Sequence, residues 1–407
     1  MVSKDERQKE AIRKWIKAKA RGIMVFPTGF GKTFTALKCV NFLKTKKDDV
    51  KVIIIVPHKQ LQQQWILEVS KFNLLAHCEV LVINSAIKKE RSCDLLICDE
   101  VHAYLSPKNI KVFSMIRHKR FLGLTGTLER SDGKHKTLIK TYPIVDKIEV
   151  EEAIANKWIS DYKQVKVEIE VDLTEYEEFN KAFNHHFSFF DYNFQLAMDC
   201  LSDEEVRLAF AQQTKQSVQM IMIQAMGFIR SLSGRKNFIY NHLAKVDVAN
   251  KIIKSRLGLG KKIMTFTKTV EHALHVCCGD IYHGDLKKLE KDKILKNFNN
   301  VASGVLNTAK ALDLGTDVKG VNVAVVLSSD SSKTTKSQRS GRALRFEENK
   351  EAEIWHLVLK GTMDEKWFEN SNDNRRFFTI SHKDLDDYLA GKEVKPQEEK
   401  QVFTLLL

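Results

Sequence analysis

Residues that loosen or stiffen loops are scarce: the 407 residues include only 5 prolines and 18 glycines, which excludes collagen-like repeats and long Gly- or Pro-rich linkers. Long apolar runs are also missing, because no segment approaches the ~20 residues that a membrane-spanning helix needs. The first ten residues (MVSKDERQKE) are too polar for a secretory signal. Seven scattered cysteines, an odd number, are typical of a reducing compartment rather than of a disulfide framework. The sequence therefore predicts a cytoplasmic protein without a membrane partner.

Positive charge is in excess, with 66 Lys and Arg against 52 Asp and Glu and a formal net charge of +14. The expected partner is a polyanion, with nucleic acid first, although the excess alone is weak support for one. Segment 172–207 has nine acids and two bases, whereas 208–262 has ten bases and one acid. Two interpretations of this reversal stay open: solvated faces of helices that pair with each other, or a basic surface that grips nucleic acid.

Short apolar runs of strand length alternate with helix-length segments in two parts of the chain. The runs are rich in β-branched or aromatic residues, as strands are. They comprise residues 23–26, 52–56, 80–83, 95–98 and 121–124 in the first part, and 262–266, 304–306, 323–327 and 354–359 in the second. Alternation of this kind predicts βαβ units around buried parallel sheets. The predicted fold class is therefore α/β, with two parallel-sheet lobes.

Between the two lobes, segment 174–256 is free of proline and rich in helix-forming residues, which predicts a helical insertion. Five aromatic residues recur there at helical spacing: Phe179, Phe183, Phe187, Phe190 and Phe194. This spacing predicts one face of a single helix, buried against another helix, and an exposed aromatic wedge is the alternative.

The predicted domain boundaries follow from this organisation. Residues 1–150 form the first lobe, and 151–256 form the linker and helical insertion with the first part of the second lobe. Residues 257–362 form the second lobe, and 363–407 a C-terminal helix and tail.

A glycine-containing loop follows the first predicted strand: residues 27–33 read PTGFGKT and lead into a helical segment. Such a loop binds phosphate, because Gly29 and Gly31 let backbone N–H groups curl around an oxyanion. In this arrangement Lys32 reaches the β- and γ-phosphates of a nucleotide, and the Thr33 hydroxyl ligates Mg²⁺. A Gly-rich turn without a ligand is the alternative.

An acidic pair ends another apolar strand, where residues 95–102 read LLICDEVH. Downstream of a phosphate loop, such a pair supplies the metal half of the site. Asp99 would hold Mg²⁺ through water, and Glu100 would polarise the attacking water.

Seven segments, in order, resemble the motifs of superfamily 2 helicases. The phosphate loop is the first, and Asp-Glu-Val-His resembles the DEAH-type box. The remaining segments are similar to motif Ia (56–65), motif III (124–127), motif IV (262–267, with 282–284), motif V (308–317) and motif VI (338–345). Residues 124–132 look most like the XPB-like branch, except that Ser131 occupies the middle of its Arg-Glu-Asp element. Compact phage helicases of the UvsW kind, which work on branched DNA, are similar as well.

This resemblance implies two RecA-like lobes that hold ATP and Mg²⁺ as cofactors, with Thr33 and Asp99 on the metal. Arg342 and Arg345 would act as arginine fingers and join Lys32, Asp99 and Glu100 in catalysis. The implied nucleotide contacts are Gln8, which reads adenine, the loop residues Thr28, Gly29, Gly31, Lys32 and Thr33, and Gly315 and Asp317 at the ribose. Arg7 stands where the family usually has an aromatic residue, and we expect its planar cation to stack on the base instead.

The resemblance also implies contacts with the nucleic-acid backbone, by Pro57, Lys59, Ser85, Arg130, Thr267, Lys268 and Thr308. Coupling of the ATP cleft to nucleic acid is implied for His102, Thr125, Thr127 and Gln338. If the basic part of the insertion grips a duplex, Arg230, Arg235 and Lys236 are expected to contact it.

The implied activity is ATP-driven tracking along DNA in the 3′→5′ direction, with unwinding or remodelling of forked or branched DNA in replication, recombination or repair. We expect a monomer that binds DNA without reading its sequence, with replication or recombination proteins as further partners, and located in the host cytoplasm if the source is viral. An RNA helicase and a nucleotide-gated nucleic-acid clamp that does not unwind are the alternatives.

Overall fold

The structure is a computed structural model, and it describes residues 2–126, 128, 133–159, 161–309, 318–328, 352–370 and 377–394. The strands of the first lobe are β1 (Arg21–Val25), β2 (Val52–Val56), β3 (Cys78–Val82), β4 (Arg91–Asp99), β5 (Ile116–Thr125) and β6 (Ile144–Lys147). Its helices are α1 (Lys4–Lys17), α2 (Lys32–Lys44), α3 (Lys59–Lys71), α4 (Ile83–Ala86), α5 (Val112–Met115), α6 (His135–Thr141) and α7 (Val150–Ala155).

The second part of the chain begins with strand β7 (Tyr162–Ile169) and then enters the helical insertion. The helices that follow are α8 (Thr174–Ser188), α9 (Phe194–Ser202), α10 (Glu204–Thr214), α11 (Val218–Asn241) and α12 (Leu243–Gly258). The remaining strands are β8 (Lys262–Thr267), β9 (Asp280–His283), β10 (Gly304–Ala309), β11 (Val323–Val326), β12 (Ala352–Leu359) and β13 (Phe378–Ser381). They alternate with helices α13 (Val270–Leu274), α14 (Lys288–Asn300), α15 (Met363–Asn370) and α16 (Leu385–Leu389).

Both sheets are parallel throughout their described strand pairs. The first has the order β3-β2-β4-β5-β1-β6, and the second has the order β13-β7-β12-β11-β8-β10-β9. Strand β2, with the sequence VIIIV, is buried along its whole length, as expected for a parallel strand covered on both faces. Because the carboxyl ends of parallel strands lie at one edge, each sheet gathers the loops that follow its strands there. The prediction of two α/β lobes is confirmed.

Two predicted domain boundaries need correction. Trp158 and Ile159 are buried in the same apolar cluster as Trp15 and Phe30, so the first lobe extends beyond residue 150. At the other end, β13 pairs in register with β7, so part of segment 363–407 belongs to the second sheet rather than to a tail.

The aromatic stripe of the insertion is a helix–helix contact, as predicted, but it does not lie on one helix. Phe183 and Phe187 on α8, and Phe194 at the start of α9, surround Phe228 of α11 with ring centroids 5.0–5.8 Å apart. The chain turns between α8 and α9 because Asp191 and Tyr192 both adopt left-handed backbone conformations, with φ of 50° and 57°.

The basic part of the insertion also differs from the expectation. Arg235 is buried, and its guanidinium lies 4.2 Å from the ring centroid of Phe183. It therefore stabilises the packing of α11 on α8 and is not available to a duplex, whereas Arg230 and Lys236 are exposed. No described helix combines the length and the apolarity needed to cross a membrane.

Candidate nucleotide and nucleic-acid sites

The loop between β1 and α2 has the backbone of a phosphate-binding loop. Gly29 and Gly31 take φ values of 89° and 98°, which residues with a Cβ rarely adopt. A Cβ on Gly31 would also lie 2.9 Å from Nε2 of Gln8, so the position lacks room for a side chain. Helix α2 begins at Lys32, so its free N–H groups point to where an anion would bind.

Two side chains of α1 donate hydrogen bonds to backbone carbonyls of this loop. The Gln8 amide, 3% exposed, donates to the Phe30 carbonyl at 3.1 Å. Lys4 Nζ donates to the carbonyls of Gly29 at 2.8 Å and Trp158 at 3.0 Å. Gln8 thus contacts the nucleotide loop directly, and its reading of adenine stays a prediction.

Arg7 occupies a different environment from the one expected. Its guanidinium makes two hydrogen bonds to the Asp146 carboxylate, at 2.6 and 3.0 Å, and its side chain is 7% exposed. This pair fastens α1 to strand β6. A guanidinium that is buried in an ion pair has little face left for a base, so the structure assigns Arg7 to holding the lobe together.

The acidic pair lies at the carboxyl end of β4, next to the phosphate loop. Lys32 Nζ is 3.6 Å from Oε1 of Glu100, so the cation expected to contact phosphate lies beside the carboxylate expected to polarise water. Glu100 itself has a φ of 50°, a left-handed conformation that turns the chain sharply out of the strand.

Asp99 is buried, and its side chain is fixed at both oxygens. Trp65 Nε1 donates to Oδ2 at 2.7 Å, and the Glu100 backbone N–H donates to Oδ1 at 3.0 Å. Burial raises the pKa of Asp99 to about 6, and the adjacent Glu100 charge acts in the same direction. The nearby Lys32 ammonium acts in the opposite direction and lowers the pKa of Asp99.

Asp99 and Thr33 suit Mg²⁺, which prefers oxygen ligands. Each oxygen of Asp99 accepts one N–H and keeps acceptor capacity. Within the described parts of the chain, no group of three or more His, Cys, Asp or Glu residues could hold a metal ion by itself.

A hydrogen-bonded chain leads from the acidic pair to the next strand. His102 Nδ1 lies 2.8 Å from the Thr125 hydroxyl, which lies 3.4 Å from Oε2 of Glu100. Thr125 is the last residue of β5, between β1 and β4 in the sheet. Two of the predicted coupling residues are thus connected to the expected water-polarising group.

The predicted nucleic-acid contacts of the first lobe share one edge of its sheet. Pro57 follows β2, Lys59 is the first residue of α3, and Ser85 lies in α4 just after β3. Lys59 and Ser85 are exposed, as backbone-contacting residues must be.

In the second lobe two of the three described candidates need correction. Thr267 and Thr308 are each 2% exposed. The Thr267 hydroxyl bonds to the carbonyls of Thr269 and Thr308, and the Thr308 hydroxyl to that of Thr265. Their hydroxyls satisfy carbonyls at the ends of β8 and β10, so they do not face a phosphate, whereas Lys268 is half-buried and stays a candidate.

Several predicted site residues lie outside the described residues: Thr127, Arg130, Gly315, Asp317, Gln338, Arg342 and Arg345. Conversely, Lys4, Trp65 and Tyr104 had no predicted role, although each hydrogen-bonds to the phosphate loop or to Asp99. The Tyr104 hydroxyl donates to the Asp99 carbonyl at 2.6 Å and lies 3.0 Å from that of Ile55. The one available signal was the position of Trp65 within the segment similar to motif Ia.

Two protein families match separate parts of the chain. Residues 2–93 match the type III restriction enzyme res subunit, and residues 244–347 match the helicase conserved C-terminal domain. Over 381 residues the chain is 30% identical to the DNA 3'-5' translocase XPB2 of Sulfurisphaera tokodaii, which covers 88% of this chain and 82% of that protein.

Solved structures share the two-lobed architecture at low sequence identity. Saccharomyces cerevisiae Dbp5 bound to RNA and ADP BeF3 is 14% identical, with a TM-score of 0.58, over 94% of this chain and 91% of that one. The Pyrococcus furiosus Hef helicase domain is 17% identical, with a TM-score of 0.54, over 90% of this chain and 97% of that one. These likenesses confirm that the two lobes have the RecA-like helicase fold.

Proposed function

Because the chain belongs to the XPB-like branch of the superfamily 2 helicases, which are ATP-dependent enzymes, we propose that it couples ATP hydrolysis to movement along DNA. The proposed activity is 3′→5′ strand tracking that unwinds or remodels forked or branched DNA. The observation that carries it is the Lys32–Glu100 pairing beside the phosphate loop, in a chain similar to a 3'-5' DNA translocase over most of its length.

Each step of the ATP chemistry is proposed to depend on particular side chains. Lys32 and the N–H groups at the start of α2 hold the β- and γ-phosphates, because they combine a mobile cation with fixed dipoles. Thr33 and Asp99 would hold Mg²⁺, which neutralises charge on the phosphates when it is bound. Glu100, which lies beside Lys32, is proposed to orient the attacking water. Arg342 and Arg345, which lie outside the described residues, are proposed as the arginine fingers.

Coupling to DNA is proposed to run through the hydrogen bonds of Thr125. This hydroxyl contacts both His102 and Glu100, so a shift at the end of β5 changes the orientation of the water-polarising carboxylate. Lys59, Ser85 and Lys268 are proposed to grip the DNA backbone, which provides hold without sequence reading.

The wider setting of the activity is part of the proposal. We propose a monomer that acts on DNA in replication, recombination or repair, with proteins of those processes as partners. A panel of fork, flap, three-way and four-way junctions compared in one unwinding assay identifies the preferred substrate.

The central test measures ATP hydrolysis with and without DNA, on wild type and on Glu100→Gln. DNA is expected to stimulate the wild type, whereas Glu100→Gln binds ATP and DNA but does not turn over. Equal wild-type rates with and without DNA would contradict the proposal, and turnover by Glu100→Gln would contradict the assignment of that residue. Matched RNA forks form the second arm, and stimulation by RNA alone would replace DNA with RNA as the substrate.

A further inference from the structure

The geometry points to Trp65 as a positioning residue: its indole N–H fixes the orientation of the Asp99 carboxylate that would hold Mg²⁺. This inference rests on the magnesium role proposed for Asp99 and extends it to a residue outside the phosphate loop and the acidic pair. The two residues come from different elements, since Trp65 lies on α3 and Asp99 ends β4.

The contact between them is short and shielded from water. Trp65 Nε1 lies 2.7 Å from Asp99 Oδ2, while Trp65 is 1% and Asp99 is 5% exposed. Water is therefore a poor substitute for the indole as donor to this oxygen. A buried carboxylate oxygen that loses its donor is destabilised by its full desolvation free energy. The bond from Trp65 therefore strongly favours one orientation of the Asp99 side chain.

Among the described residues, the Trp65 indole is the donor that holds Oδ2 of Asp99. The Glu100 backbone N–H holds Oδ1 at 3.0 Å, and the Tyr104 hydroxyl holds the Asp99 carbonyl rather than its side chain. Both donors to the carboxylate are neutral N–H groups, which orient it without cancelling its charge. The carboxylate therefore keeps the negative charge that a divalent cation requires.

The position of Trp65 on α3 also requires a long side chain. Helix α3 begins at Lys59, so Trp65 lies about 9 Å further along its axis, given the rise of an α-helix. An indole spans the gap from this helix to the end of β4 and ends in a donor. Phenylalanine fills most of the same volume but has no N–H group.

The consequence is an effect on metal affinity. Groups that orient metal ligands from outside the coordination sphere typically change affinity or activity by ~10–100-fold when they are removed. We expect Trp65→Phe to raise the Mg²⁺ concentration at half-maximal nucleotide binding by about 10-fold. Nucleotide binding in EDTA should be unchanged, because the phosphate loop is intact.

The matched control is Trp15→Phe. Trp15 is also fully buried in the first lobe, and its Nε1 donates to the Phe121 carbonyl at 2.9 Å. This variant loses an equivalent buried indole bond away from Asp99, so it should keep the wild-type Mg²⁺ midpoint. An equal shift in both variants would mean a general loss of packing and would overturn the inference.

The experiment titrates Mg²⁺ against the binding of a fluorescent ATP analogue in wild type, Trp65→Phe, Trp15→Phe and Asp99→Asn, and repeats the titration with steady-state hydrolysis. If Asp99→Asn leaves the midpoint unchanged, the proposed magnesium role of Asp99 is overturned, and the inference with it. If Asp99→Asn raises the midpoint and Trp65→Phe does not, only the inference about Trp65 is overturned. Should Trp65→Phe fail to fold, Trp65 is replaced by β-(3-benzothienyl)alanine, which keeps the size and shape of the indole but has sulfur in place of the N–H: a raised midpoint supports the inference, and a wild-type midpoint overturns it.

Discussion

The ammonium of Lys245 lies 2.6 Å from the carboxylate of Asp364, and neither side chain is exposed to solvent. The pair joins α12, at the end of the helical insertion, to α15, which follows the long strand β12. Asp364 also accepts the Leu359 N–H at 3.0 Å, so it fixes the end of that strand.

Removal of one partner from this pair should destabilise the protein severely. We expect Lys245→Met to lower the free energy of unfolding by about 3–5 kcal/mol, because it leaves a buried carboxylate without its counter-charge. Denaturant unfolding measures the change. The double variant Lys245→Met/Asp364→Asn, whose amide oxygen can still accept the Leu359 N–H, should recover most of the loss, and a single variant as stable as wild type would contradict the buried pairing.

Removal of the Thr125 hydroxyl should weaken hydrolysis while ATP binding is retained. Thr125→Val keeps the shape of the side chain but removes the hydroxyl that contacts both His102 and Glu100, and it leaves the direct 3.5 Å approach of His102 Nδ1 to Glu100 Oε2 in place. A lost buried hydrogen bond costs about 1–3 kcal/mol, so DNA-stimulated turnover should fall by roughly 5- to 150-fold. Thr379→Val, at a buried threonine of β13, is the control, and an equal fall in both would show that the effect is not specific to the coupling chain.

The exposed bases of α11 should determine how fork binding responds to salt. Arg230→Gln/Lys236→Gln is expected to weaken fork binding and to reduce the slope of log affinity against log salt by about 2. Fluorescence anisotropy at several salt concentrations measures this slope. Lys181→Gln/Lys392→Gln removes the same charge from other exposed positions, and equal slopes in the two double variants would remove α11 from the DNA-binding surface.

Acid should destabilise the second lobe through His272. Burial, with help from the charge of Lys245, lowers the pKa of His272 to about 4, so the folded chain keeps this ring neutral. Its stabilisation is present above the ordinary histidine pKa of about 6.5 and is lost as the pH falls towards 4, because the unfolded chain binds the proton first. Melting temperature should therefore depend less on pH between 7 and 5 in His272→Gln than in wild type, whereas His185→Gln, at an exposed position of α8, should follow wild type.

The sequence predicted the sheets where strands are continuously apolar and failed where they are not. Strand β2 reads VIIIV and was found to the residue, whereas β7 alternates Lys and Glu with Val and was missed. Strand β7 lies next to the edge strand β13, and one of its faces is only partly covered. That face therefore tolerates charged side chains. Strands β6 (IVDK), β9 (DIYH) and β13 (FTIS) were missed because polar residues interrupt their four-residue runs, whereas the equally short β11 (VAVV) is wholly apolar and was predicted.

The candidate site was predictable where motifs are contiguous and unpredictable where contacts cross between elements. Lys32 and Glu100 lie together as the spacing of their motifs predicts. The sequence around Arg7 does not predict its ion pair with Asp146, which lies 139 residues away and binds its guanidinium. Nor does the sequence around Thr308 reveal that its hydroxyl bonds a neighbouring strand, because that depends on the register of β10 with β8.

The pairing of β7 has a consequence for the synthesis of the chain. Among the described strands β7 pairs with β12 and β13 alone, so its nearest partner emerges from the ribosome about 180 residues later. At typical translation rates this delay lasts roughly 10–40 s, whereas the first sheet is complete once β6 has been made. During this time β7 has no partner strand, and its backbone N–H and C=O groups are open to pairing with other chains. Misassembly between nascent copies should therefore begin at this strand.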